Sequence, residues 1–423
     1  MLSKFKNVFS IPDLRKKILF IIFVLVVFRF AANIPLPGVD VLKLKEMFEG
    51  NQLVGMLNMF SGGGLSNISI VLLGLGPYIT SSIIMQLLTM IFPKMEQLYR
   101  EEGEAGRAKF NMITRVATVP LAMVQTFAMI SLLKSQGIIV GLDKFTTIAL
   151  VIIATAGTIF LMWLGELITE KKLGNGVSIM IFAGIVASVP SLTSRIINTY
   201  DPSMLFTYLS FIAITILTIL GVVFVSEGER IIPVSYAVKR QRGLVKTNHL
   251  PLKVNQAGVI PIIFAISIVT MPTMIGQFMV TSSNEKVHDF GMTLLSLFQN
   301  NWIYGGVYFF LVVVFTYFYT AIIFDPEKVA KNLQSQGGYI QGVRPGTETA
   351  EYLARISLRI TLAGAIFLGL IAVLPIVVQS FLGGSNLLTV GGTSILIVVS
   401  VVIDMVKQID SQLIMHNYEK LRG

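Results

Sequence analysis

The chain has 423 residues, 54% hydrophobic and only 13% charged, against about 25% charged in an ordinary soluble domain. So few charges cannot coat a globule of this length, which excludes a soluble enzyme of one to three domains. The net charge of +10 points to the cytosolic loops of a membrane protein or to a polyanionic partner such as lipid or RNA.

In chain order, ten apolar runs occupy residues 18–34, 68–92, 113–133, 145–168, 177–197, 204–225, 257–280, 302–324, 356–378 and 387–405. Each approaches the roughly 20 residues a helix needs to cross the hydrocarbon core. None alternates in polarity as barrel strands do. The expected fold class is an all-α membrane protein with ten transmembrane helices. The first run follows Lys4, Lys6, Arg15, Lys16 and Lys17, but it contains Arg29, and Pro35-Leu36-Pro37-Gly38 comes after it in place of a small-residue cleavage site. It is therefore expected to be a retained span, its Arg29 snorkelling to the far interface.

With a cytosolic N-terminus, cytosolic segments and adjoining span ends hold 26 of the 33 basic residues. The external side holds Lys43, Lys45, Lys134, Lys144, Arg195 and Lys286. That asymmetry predicts both termini inside. Ten spans divide into two halves, 1–200 and 201–423, which must be inverted if they share a fold, with a pathway at their interface.

The second run contains Gly74-Leu75-Gly76-Pro77 and the seventh Gly258-Val259-Ile260-Pro261, at the same ordinal place in each half. Either these are ordinary proline kinks, or they are interrupted helices whose freed backbone groups face protein or a water-filled cavity. Between the first two runs, the Gly-rich segment 57–67 is too short to cross; the residues alone favour a surface loop over a segment folding into the external mouth. Two cytosolic loops, 226–256 and 325–355, exceed what joining two spans requires. The first carries Arg230, Lys239, Arg240, Arg242, Lys246 and Lys253, a density that favours docking of a large partner.

Catalytic and cofactor chemistry leave no trace. There is no Cys, and His249, His288 and His416 are far apart, so neither disulfides nor a metal-ligand motif is expected. No phosphate-binding loop, nucleophile elbow or zinc-protease pair occurs. Glu166 and Asp404 lie near cytosolic span ends, as do Arg115 and Arg359, with no carboxylate near the midplane, where an ion-coupled transporter would place one.

Several long segments occur together in one order: Phe28-Arg29 with Ile34-Pro35-Leu36-Pro37-Gly38, residues 76–88 from Gly76-Pro77-Tyr78-Ile79, residues 160–166 with Gly174-Asn175-Gly176, residues 249–255 with Gly258-Val259-Ile260-Pro261, Gly342-Val343-Arg344-Pro345-Gly346, and Gly391-Gly392-Thr393-Ser394. On these the chain resembles the SecY/Sec61-alpha family of protein-conducting channels over nearly its whole length. Ala31 stands where the family usually has Gly, and the tail after Met415 is short.

The resemblance implies two inverted five-helix halves around an hourglass pore. It also implies that Phe60, Ser61, Gly62, Gly63, Gly64, Leu65 and Ser66 belong to a plug, reversing the preference for a plain loop. The implied waist is a ring of Ile79, Ile83, Ile181, Ile263 and Ile397. Ile79 and Ile83 are four apart and so share a helix face, and a narrow branched apolar ring blocks ions by dewetting. Ile is equally the default packing or lipid-facing residue.

A lateral gate is implied between the second and third spans and the seventh and eighth. Gln125 and Ser267 are candidates to hold it, at about 1 kcal/mol per interhelical hydrogen bond in a membrane. The implied partners are the SecA ATPase or a translating ribosome, on Lys239, Arg240, Arg242 and Arg344, with the membrane subunits SecE and SecG. Cargo would be signal peptides and secretory polypeptides, with membrane segments released into membrane lipids. No cofactor and no metal is implied. A small-solute transporter and a ribosome-recruiting scaffold are the competing functional classes.

Overall fold

A computed structural model describes residues 11–36, 68–100, 103–135, 143–198, 202, 205–236, 248–280, 284–381 and 392–422. Its helices are α1 (Pro12–Ala31), α2 (Gly76–Ile91), α3 (Pro93–Arg100), α4 (Gly103–Ser135), α5 (Lys144–Glu170), α6 (Gly176–Asn198), α7 (Leu205–Glu227), α8 (Ile260–Val280), α9 (Glu285–Gln299), α10 (Asn301–Ile323), α11 (Pro326–Ser335), α12 (Thr347–Phe381) and α13 (Gly392–Arg422). Strands β1 (Glu229–Tyr236), β2 (Asn248–Lys253) and β3 (Gly338–Ile340) complete it.

Among the described residues, α4, α5, α7, α10 and α12 contain stretches long and apolar enough to cross a membrane. Shorter apolar stretches lie at Gly76–Ile91, Gly176–Pro190 and Ile260–Thr273. Large side chains such as Phe145, Leu217 and Phe224 are exposed along these helices, and Phe23 and Phe30 along α1. An aqueous surface would not tolerate so much continuous apolar area; lipid does.

The helices of the first half pack as α2 on α4, α4 on α5 and α5 on α6, with α1 lying on α5 and α6. In the second half α10 packs on α12, α8 on α10, and α7 on α13. The halves meet along two seams, α6 with α13 and α8 with both α2 and α4. The largest apolar cluster runs through both halves.

The second apolar run is not one helix. Residues 68–75 form turns, with Gly74 at φ +56°, and α2 begins at Gly76 with Pro77 in its first turn. In the seventh run, Gly258 sits at φ +64° and α8 begins at Ile260, followed by Pro261. Both prolines therefore sit where a helix starts, which their missing N–H favours, and neither kinks a continuous helix.

The described parts of the two long loops are folded. β1 pairs with β2, Ile232 opposite Leu250, and with β3, Val234 opposite Ile340, giving a three-stranded antiparallel sheet in the order β2-β1-β3. Ile232, Val234, Leu252 and Ile340 pack under it with Leu333 of α11 and Leu353 and Ile356 of α12. Expected as loops, these segments have a core of their own.

Candidate functional site: a buried isoleucine set at the seam of two halves

The five isoleucines are all buried: Ile79 at 5% exposure, Ile83 at 2%, Ile181 at 1%, Ile263 at 4% and Ile397 at 1%. All belong to the one cluster that joins the halves. They lie on α2, α6, α8 and α13, the helices that form the two seams.

Each of the first three of these helices is positioned by local sequence. Before α2, Leu36 N–H donates to Ile68 O at 2.8 Å and Ile70 N–H to Ile34 O at 3.0 Å, tying the segment after α1 to the one before α2. Ile68 has φ +38°, a region that β-branched residues avoid. Ile68 and Leu72 are fully buried with Met129, Ile130, Leu133 and Leu150. A Cβ added at Gly157 of α5 would lie 2.1 Å from Ile70 O; only glycine admits the segment there. On α2, Ser81 Oγ donates to Thr114 O of α4 at 2.8 Å.

Ile181 is set by the turn from α5 to α6. Thr169 Oγ1 donates to Gly165 O at 2.9 Å and accepts from Gly176 N–H at 2.9 Å. Asn175 Oδ1 accepts from Ser178 N–H at 3.2 Å, satisfying an otherwise open donor of the first turn. A Cβ on Gly176 would fall 1.8 Å from Gly165 O, so the two helices touch through glycine.

Ile263 lies in the first turn of α8. Its N–H donates to Val259 O at 3.3 Å, and Asn255 Nδ2 donates to Gly258 O at 3.2 Å. Gly364 of α12 presses on Val254, where a Cβ would approach Val254 O at 2.7 Å.

Ile397 lies near the start of α13. That helix is tied to α7 by Lys407 Nζ–Glu227 Oε1 at 2.8 Å and to the α5–α6 turn by Gln412 Nε2 donating to Lys172 O at 2.8 Å.

Of the gate candidates, Ser267 on α8 donates to Ile263 O of its own helix at 2.9 Å. It offers a neighbour only its acceptor lone pairs. Gln125 on α4 is half-buried, and no hydrogen bond joins it to Ser267 among the described residues. The α4–α8 packing still places the two on adjoining helices.

Arg344 stands in the turn between β3 and α12, its side chain 86% exposed and 3.7 Å from Glu348. Thr349 Oγ1 donates to Arg344 O at 2.7 Å. Gly342 at φ +83° and Gly346 at φ +104° bound the turn. Lys239, Arg240 and Arg242 lie outside the described residues, as do Phe60, Ser61, Gly62, Gly63, Gly64, Leu65 and Ser66.

Sequence reasoning passed over three polar features. Arg115 of α4 pairs with Glu166 of α5 at 2.5 Å, a link hinted at only by two charges at the ends of adjacent spans. Gln86 Oε1 on α2, with Asn255 Oδ1 and Gln256 Nε2 before α8, are buried atoms without a hydrogen-bond partner among the described residues. Their signal was an amide within or beside an apolar run. Tyr308 OH on α10 is likewise without one and carried no signal distinct from any aromatic in a span. No cluster of three or more metal-ligating side chains occurs among the described residues.

Comparison with known proteins places these elements. The model of the SecY family matches residues 69–406. The protein translocase subunit SecY of Streptomyces galbus is 43% identical over 441 residues, covering 99% of each chain, and that of Mycobacterium bovis 41% over 443 residues with the same coverage. Among solved structures, a protein-conducting channel superposes with a TM-score of 0.66 at 19% identity, covering 93% of this chain and 91% of that one. Sec61 from a canine ribosome–channel complex of the endoplasmic reticulum gives 0.64 at 19%, with the same coverage. These likenesses show the fold, and the model match with the sequence relatives shows the family: this chain is a multi-pass membrane protein belonging to the SecY family.

Proposed function

We propose that the chain is a passive protein-conducting channel. It translocates unfolded secretory polypeptides across the bacterial cell (inner) membrane and releases membrane segments sideways into lipid. The observation that carries this reading is the burial of Ile79, Ile83, Ile181, Ile263 and Ile397 in one apolar cluster on the helices where the halves meet. Arranged as a ring, these side chains would wet poorly, so they would seal an idle pore against ions and bind no passing side chain strongly. The reading includes ten spans in two inverted halves around an hourglass pore, both termini cytosolic as the basic residues favour. The segment 57–67 acts as plug, and the lateral gate lies where α2 and α4 face α8 and α10.

Driving energy comes from partners, the SecA ATPase or a ribosome, docking on Lys239, Arg240, Arg242 and Arg344. The exposed, turn-held Arg344 supports its part in this. SecE and SecG complete the membrane complex. The chain itself is no enzyme.

The absence of native Cys makes the test direct. A single Cys at Ile79 or Ile263 is expected to crosslink to a stalled secretory polypeptide, whereas a lipid-facing control such as Phe224→Cys is not. Capture at none of the five positions would leave a scaffold that recruits partners but conducts nothing.

A further inference from the structure

We propose that a cleft between α10 and α12, on the side of the α10 N-terminus, holds one acyl chain of a membrane phospholipid. The cleft has a volume of about 290 Å³, and its walls include Trp302, Gly305, Gly306, Phe309, Val373 and Ile376. The site depends on the chain lying in a bilayer and not on what passes through its centre.

The cleft follows from three glycines. α10 and α12 are in close contact at Gly369, where a Cβ would meet the Phe309 ring at 2.7 Å, and at Gly305, where one would meet Val373 Cγ1 at 3.3 Å. One residue on, a Cβ at Gly306 would meet nothing within 4 Å. The helices are thus pinned together at the floor and left apart beside Gly306.

Apart from Asn301 and the indole N–H of Trp302 the lining is apolar, so water has few partners there, while a void would forfeit dispersion contacts along its walls. The neighbouring solvent is hydrocarbon, and hydrocarbon fills the space. A cleft of about 290 Å³ has room for a stretch of one lipid tail. Trp302, 66% exposed at the rim, marks the interfacial level at which a lipid would enter.

The cleft is short: from Trp302 to Phe309 is roughly 10 Å of α10, a length that suits a segment of one tail better than a helix packed along its span of about 30 Å.

The chain has two tryptophans, Trp163 and Trp302, so Trp163→Phe leaves Trp302 as its one reporter. The full chain is reconstituted into phosphatidylcholine vesicles containing increasing fractions of phosphatidylcholine brominated on its tails. The expected result is quenching of Trp302 in two phases, one steep and saturating at low fraction, the other rising in proportion to the bulk lipid. Gly306→Phe should abolish the steep phase and preserve the proportional one, which also reports that the variant sits in the bilayer. Gly306→Ala should weaken the steep phase without abolishing it. A single proportional phase, identical with and without the filler, would mean ordinary boundary lipid and overturn the site. A parallel arm with brominated fatty acid separates sources: a steep phase confined to that arm would overturn the phospholipid assignment.

Discussion

Replacing Gly157 by Ala tests how the segment entering α2 is held. The new Cβ would lie 2.1 Å from Ile70 O, 2.9 Å from Ile70 C and 3.3 Å from Val71 Cα. All three are backbone atoms and cannot rotate away. Against ordinary contacts of roughly 3.5 Å, the chain must shift by about 1 Å. Ile68, Val71 and Leu72 have no slack to absorb this, being fully buried, and the bonds to residues 34 and 36 resist it.

Overpacking of this kind costs about 1–3 kcal/mol, opposed by a helix-propensity gain of up to about 1 kcal/mol for Gly→Ala. Gly306→Ala is the internal control, since it carries the same propensity gain with no clash. The two variants should therefore differ by about 1–3 kcal/mol, or roughly five- to 150-fold in the unfolding equilibrium at 1.4 kcal/mol per tenfold. Thermal unfolding of the purified proteins in one detergent, read side by side, measures the gap. Equal stability for Gly157→Ala and Gly306→Ala would refute the claim that this glycine seats the approach to α2.

Arg344→Glu should abolish ATPase-driven translocation into membrane vesicles while leaving the level of inserted protein unchanged; full transport by that variant would remove Arg344 from the docking surface. The Arg115–Glu166 pair has side chains 48% and 21% exposed, so a double-mutant cycle with Arg115→Ala and Glu166→Gln should return a coupling of only about 0.5–1 kcal/mol, measured by unfolding of all four proteins. Tyr308→Phe removes a buried hydroxyl that has no partner among the described residues. It should leave stability unchanged or raise it by up to about 1 kcal/mol, while Tyr308→Ala should cost about 3–5 kcal/mol through the cavity it opens.

The apolar stretches of α4, α5, α7, α10 and α12 were legible because hydrocarbon imposes one length and one polarity on whatever crosses it. The break before α2 was legible for a related reason: Gly76-Pro77 inside an apolar run is a conflict that only an interruption or a kink resolves. Choosing between them needed the turns at 68–75, whose course depends on Gly157 in a different helix. Helix α9 was missed because Glu285, Lys286, His288 and Asp289 give its start the composition of a loop. It is seated on α8 through Gly276 and Gly291, while Phe290, Met292 and Leu297 stay exposed, so no buried apolar stripe marks it in the sequence. The sheet was missed because β1 contains Pro233, a residue usually confined to sheet edges, and because its partner β3 is about a hundred residues away. Pairing at that range leaves no periodic mark in either segment. Among the site residues, burial of the isoleucines could not be read from composition, since isoleucine is common on every face of such helices.

The central position of β1 has a mechanical consequence. The strand pairs on one side with β2 and on the other with β3, which leads into the turn at Arg344, so two stretches of chain widely separated in sequence form a single tray. β2 leads through Val254, against which Gly364 of α12 is packed, to the start of α8, so a load on either rim is expected to be shared by both. Whatever lands on this tray tilts it as a whole, and damage to one rim should blunt signals arriving at the other.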